Sequence, residues 1–227
     1  MPLYLHRRSL YFIIALVIGY TTCSAQPIFR IWEKPIRFDA ERKQLSLDYM
    51  RDRHSIIQDS AYIKPRMIVL HWTAIPTLEQ SFDAFNPVHL PGARASISSA
   101  STLNVSSQFL IDRDGTIFRQ MPDTAFARHV IGLNYCAIGV ENIGSGKNPL
   151  TSKQLKANIA LVRYLKQKYP EIDYVIGHYE YTSFVGTELW REVDDNYRTI
   201  KTDPGVGFMK RFRKKTKDLG LKKIPGA

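Results

Sequence analysis

The side chains best suited by type to act together are those of His71, His178 and Asp203. His71 follows Met67-Ile68-Val69-Leu70, an apolar run that reads as a strand buried on both faces. His178 follows the apolar segment 172–176 and Gly177. A polar ring at the end of a buried strand stands where adjoining loops form a cleft over a rigid base. Asp203 lies in Lys201-Thr202-Asp203-Pro204-Gly205, a turn whose proline and glycine restrict the backbone. Two imidazoles and a carboxylate suffice to hold zinc with a fourth position open to water. Taken singly, each residue has a plainer reading: a strand-end histidine is most often structural, and an aspartate before proline is a turn former. Spacing alone yields no compact ligand motif.

Competing motifs are absent or broken. Gly144-Ser145-Gly146-Lys147 suggests a phosphate loop, but Asn148 stands where Ser or Thr is needed and Glu141 occupies the first glycine position. There is no His-Glu-x-x-His, no Gly-x-Ser-x-Gly and no dinucleotide fingerprint.

The elements that must position these residues can be read in order. Asp39 to Arg53 is the best helical candidate of the first part, with Leu45, Tyr49 and Met50 on a weakly amphipathic face. Leu78 to Phe85 reads as a short helix. Residues 86–104 form a loop rich in Pro, Gly, Ser and Ala, long enough to suit a binding or lid role. Val105 to Ile111 and Thr116 to Met121 flank Asp112-Arg113-Asp114-Gly115, whose Asp-Gly pair signals a hairpin. Cys136 to Ile143 reads as another buried strand. Thr151 and Gln154 make a capping box for a helix carrying Leu155, Ile159, Val162 and Leu165 at helical spacing until Pro170. The succession predicts an α/β fold with a mixed central β-sheet flanked by helices.

At 227 residues with 44% hydrophobic and 23% charged, the chain is long enough for one domain with extensions. A formal charge of +11 suits an acidic polymer or envelope surface. Neither a zinc-finger spacing nor an aromatic RNA-binding signature occurs, so no nucleic-acid partner is expected. His6, Arg7 and Arg8 precede an apolar run from Leu10 to Ile18 and a small-residue stretch ending at Ala25, the three parts of a secretory signal peptide. The run is short of the roughly 20 residues of a membrane span. Cleavage after Ala25 is the expectation; a lipid anchor on Cys23 is the rival, and Tyr20-Thr21-Thr22 is a poor match to a lipidation motif. Cys136, beside Ala137-Ile138-Gly139-Val140, reads as a buried structural thiol.

Five segments together resemble a known family. Val69-Leu70-His71-Trp72-Thr73, the stretch from Ser107 to Thr116, Ala137-Ile138-Gly139-Val140-Glu141, Ile176-Gly177-His178 and Lys201-Thr202-Asp203-Pro204-Gly205 are similar, in order, to motifs of zinc-dependent N-acetylmuramoyl-L-alanine amidases of the type-2 amidase and peptidoglycan recognition protein family. The resemblance implies that fold, zinc held by His71, His178 and Asp203, Glu141 as general base, Lys201 beside developing negative charge, and His129 on the substrate side. It also implies peptidoglycan or its muropeptide fragments as partner, with envelope association. The resemblance covers residues 65–215, the amidase domain; with the residue patterns on either side, the chain divides further into a signal peptide (1–25), an N-terminal extension (26–64) and a basic tail (216–227). Some relatives use a cysteine where Asp203 stands, or a catalytic tyrosine where Ser107 stands, which leaves more of the proton handling to Glu141. A non-catalytic wall-binding module of the same fold is the alternative; all five implied metal and catalytic residues are present.

Overall fold

A computed structural model describes residues 30–92 and 99–226. The proposed signal peptide and the middle of the loop at 86–104 lie outside the described residues. Six strands, β1 (Ile31–Glu33), β2 (Met67–Leu70), β3 (Phe109–Ile111), β4 (Ile117–Arg119), β5 (Ala137–Asn142) and β6 (Tyr174–Gly177), form one sheet in the order β1-β4-β3-β5-β2-β6. Only β3 and β4 pair antiparallel, through the Asp-Gly hairpin; every other neighbouring pair is parallel. The helices are α1 (Ala40–His54), α2 (Leu78–Phe85), α3 (Ser152–Lys168) and α4 (Val206–Lys215). The mixed sheet flanked by helices is as the sequence predicts.

β2 sits between β5 and β6 and is covered on both faces of the sheet, so all four of its side chains are fully buried. Side chains alternate faces along a strand. Ile68, Leu70, Ile138 and Val140 pack against Leu161, Val162 and Leu165 of α3 and Phe208, Met209 and Phe212 of α4. Met67, Val69, Ala137 and Ile176 face the other way, under Val130, Leu133, Tyr181 and Phe184. The register aligns Leu70 with Val140 on one side and with Gly177 on the other. His71, Glu141 and His178 are therefore each the next residue beyond one row, at the C-terminal ends of three adjacent parallel strands.

Two elements differ from the sequence expectation. The strands flanking the hairpin are shorter, because the regular pairing gives way at Gln108: its carbonyl accepts from both Gln120 N (2.9 Å) and Met121 N (3.4 Å), while its side-chain amide donates to Ala125 O at 2.7 Å and its Oε1 accepts from Gly139 N at 2.6 Å. On α3 the Thr151–Gln154 capping box forms, but Leu155 and Ile159 are only partly buried while Gln154 and Asn158 are fully so. The strand ends beneath that helix present polar groups that need partners. Gln154 Nε2 donates to Ile143 O (2.9 Å), and Asn158 Nδ2 to Asn142 Oδ1 (2.7 Å).

The segment before β2 joins the same body. β1 extends the sheet, and Arg42 of α1, 1% exposed, donates through Nη2 to the carbonyls of Phe85, Asn86 and Pro87, closing the C-terminal end of α2. Asp39 caps α1 by accepting from Arg42 N. Cys136 is buried, and burial pushes its thiol up to about 12, in keeping with a structural residue. No helix among the described residues is long and apolar enough to cross a membrane.

At the end of α1, His54 is fully buried among Tyr49, Phe126 and Tyr135, and burial lowers its pKa from 6.5 to about 4. The unfolded chain thus binds the His54 proton over a range where the folded chain does not. Stability falls as pH drops from 6.5 towards 4, by about 3 kcal/mol at most from this group. Urea midpoints at about pH 7 and about pH 4.5 should lie closer together in His54→Phe than in the unaltered chain; an equal separation counts against His54 as the cause.

Candidate metal centre

The C-terminal edge of the sheet gathers the implied residues. His71 Nδ1 lies 3.0 Å from His178 Nδ1 and 3.1 Å from Asp203 Oδ2, and His178 Nδ1 lies 3.1 Å from the same carboxylate oxygen. All three residues are buried. Backbone pairing supports the geometry: His71 N donates to Val140 O, and Tyr179 N to Asp203 O, tying the distant turn to the strand ends.

Three lone-pair atoms about 3 Å apart fit a small tetrahedral cation. Zinc–ligand bonds of about 2.0–2.1 Å in tetrahedral array separate their donors by little more than that. The electrostatics agree. Burial and the neighbouring His71 lower His178 to about 4, so it is neutral and offers a lone pair at neutral pH. Burial alone would raise Asp203, but the imidazoles of His178 and His71 beside it hold its carboxyl well below the usual range, keeping it anionic. Two imidazoles and one carboxylate are a donor set suited to zinc.

Around this triad is a cleft of about 310 Å³ bordered by Trp72, Thr73, Phe85, Val105, Glu141 and Lys201, among others. Glu141 and Lys201 thus open on the same space as the triad, and neither belongs to it. His129 also borders the cleft, and both its ring nitrogens are engaged: Nδ1 is 3.1 Å from His71 Nε2 and Nε2 is 3.2 Å from Ala137 O. Burial holds its pKa well below the ordinary value. Ser107 is fully buried, its hydroxyl donating to Phe109 O, and it does not border the cleft.

Sequence reasoning did not single out Trp72, Thr73 or Ala74 as cleft residues. Ala74 has φ of 55°, a left-handed conformation unusual for alanine, and its N–H donates to Gly144 O. The available signals were adjacency to His71 and, for Trp72 and Thr73, their place in the Val69–Thr73 motif. A cavity of about 550 Å³ lies away from the triad beside Glu33, Arg119, Asp123 and Lys168, whose charges pair with one another.

The N-acetylmuramoyl-L-alanine amidase family model matches residues 61–206. Among solved structures, the N-acetylmuramoyl-L-alanine amidase LysC from Clostridium intestinale URNW is similar at 22% identity and a TM-score of 0.52, over 85% of this chain and 99% of that one. A selenomethionine derivative of AmpD is similar at 22% identity and a TM-score of 0.50, over 82% and 93%. No curated protein matches the sequence. The structural likenesses establish the fold, and the match across residues 61–206 establishes descent: the chain belongs to the N-acetylmuramoyl-L-alanine amidase family.

Proposed function

We propose that this chain is an exported zinc amidase that hydrolyses the bond between the lactyl group of N-acetylmuramic acid and L-alanine in peptidoglycan or its fragments. The observation that carries this reading is the convergence of His71, His178 and Asp203 within 3.1 Å of one another, in a cleft shared with Glu141 and Lys201.

Zinc held by the triad supplies Lewis acidity towards the scissile carbonyl and lowers the pKa of a water towards about 7. Glu141 is the general base: its carboxylate takes the proton from the attacking water and returns it to the departing amine of L-alanine. The Lys201 ammonium lies along the same cleft and stabilises the negative charge that develops on the carbonyl oxygen. The buried, neutral state of His178 keeps protons from competing for its Nδ1.

The test is zinc content by elemental analysis together with digestion of purified peptidoglycan, products being identified by mass. Near-stoichiometric zinc and released peptides beginning with L-alanine are the expected result. Zinc without those products would favour the wall-binding module; neither zinc nor cleavage in metal-replete buffer would refute the reading.

Export rests on the sequence pattern of residues 1–25. Mature protein recovered from secreting cells should begin at Gln26; a lipid-modified Cys23 would replace cleavage after Ala25 with anchoring. The basic surface fits an anionic envelope. Lys210 and Lys214 are exposed on α4, and replacing both by glutamate should reduce co-sedimentation with peptidoglycan several-fold at low salt, with the difference fading near about 0.5 M salt as screening shortens to a few ångströms. Equal sedimentation at low salt would remove the charge from the account.

A further inference from the structure

We propose that His129 is a positioning residue: it fixes the tautomer and ring plane of His71 so that His71 Nδ1 is a bare lone pair aimed at the cation site. The inference rests on the zinc reading of the triad and adds to it a group that acts through a ligand.

The argument starts from a carbonyl. Ala137 O can only accept, so His129 Nε2, 3.2 Å away, carries the N–H. With its one N–H placed there, a neutral imidazole has no hydrogen on Nδ1, which must accept. The 3.1 Å contact from His129 Nδ1 to His71 Nε2 therefore requires the His71 proton on Nε2. His71 Nδ1 is left unprotonated, and that is the atom within 3.1 Å of His178 Nδ1 and Asp203 Oδ2. One backbone carbonyl thereby sets the protonation pattern of two rings in series, and a ligand with its other nitrogen so held is both oriented and more basic.

Three further features hold His129 in this role. The two imidazoles cross at 88°, with centroids 5.1 Å apart. Asn134 Oδ1 accepts from the N–H groups of both His129 (2.9 Å) and Val130 (2.7 Å), fixing the backbone that carries the ring. Beneath the ring lies Gly139, where a Cβ would sit 2.8 Å from His129 Cδ2 and 2.9 Å from Cγ. That gives a reason for glycine within an otherwise apolar buried strand. The pairing of β3 with β5 begins at Val140, which leaves Ala137 beyond the paired stretch with its carbonyl accepting from a side chain.

The experiment uses the purified chain with His129→Phe, which keeps a ring and removes the acceptor, and His129→Gln, which retains both an acceptor and a donor. Nitrogen-15 NMR of the metal-free unaltered protein should find His71 as the Nε2–H tautomer; finding Nδ1–H would overturn the proposal without any variant. His129→Phe should populate both tautomers of His71 and weaken zinc about 10- to 100-fold in competition with a chromophoric chelator. His129→Gln should recover most of that loss. Unaltered zinc affinity and an unaltered His71 tautomer in His129→Phe would refute the positioning role. If the unaltered protein binds no zinc, the metal reading fails, whereas the tautomer of His71 still decides the role of His129.

Discussion

On the proposed mechanism a Glu141→Gln chain should keep zinc and lose turnover, with kcat lower by about 10²- to 10⁴-fold, the range expected when a positioned general base is removed. The two halves of that result have separate causes. Zinc is retained because the three converging donors come from His71, His178 and Asp203, and Glu141 is not among them. Glutamine matches glutamate in shape, so β5 and its neighbours keep their packing. Turnover is lost because an amide cannot take a proton from water at neutral pH. Paired measurements of metal content and of peptides released from peptidoglycan would check both halves. Full activity would move the base elsewhere in the cleft, while loss of zinc would make Glu141 part of the metal centre.

The second large effect is expected at Asp203. Asp203→Ala removes one of three donors and the only carboxylate among them, leaving two imidazoles to face a dication. Zinc affinity should fall by more than the roughly 100-fold attached to losing an outer partner, and hydrolysis should fall with it. Stability offers a second readout, since a ligand that binds only the folded state adds about 2.7 kcal/mol when present at roughly 100 times its Kd. Zinc should raise the melting temperature of the unaltered chain and leave that of Asp203→Ala unmoved. The backbone carbonyl of residue 203, which accepts from Tyr179 N, survives the substitution, so the turn retains that tie. A zinc-induced rise of equal size in the variant would show that Asp203 is not a ligand.

The placement of both residues follows from one register. Parallel neighbours β5, β2 and β6 align Val140, Leu70 and Gly177, and the next residue along each chain brings Glu141, His71 and His178 to the same edge. Asp203 arrives from a turn at the start of α4, itself packed through Phe208, Met209 and Phe212 on the face of the sheet that α3 also covers. The His71–His178–Asp203 cluster is thus anchored from both directions by apolar packing, and its geometry is only as good as that packing.

Local signals were enough for several elements. The four apolar residues of β2 are a buried strand because no polar side chain interrupts them. The Asp-Gly turn makes a hairpin because glycine accepts the φ of 90° found at Gly115. The Thr151–Gln154 box starts α3 because its two side chains satisfy backbone groups at the helix end. Ordered motifs, set beside a family's, also pointed to His71, His178 and Asp203 together. What local pattern could not supply was their meeting, since His71 is 107 residues from His178 and 132 from Asp203. Parallel strands have no tight turn to set their register, so alignment is decided by long-range burial. The same holds for Gln154 and Asn158, polar residues drawn inside by strand-end groups that appear only once the sheet exists, and for His129, whose link to His71 depends on a carbonyl at Ala137 and an empty place at Gly139. The sequence by itself determined the element types and the identity of the reactive groups, because both are local chemistry. Tertiary structure alone decided the register, the buried polar contacts and the meeting of the reactive groups, because each depends on atoms brought together from distant parts of the chain.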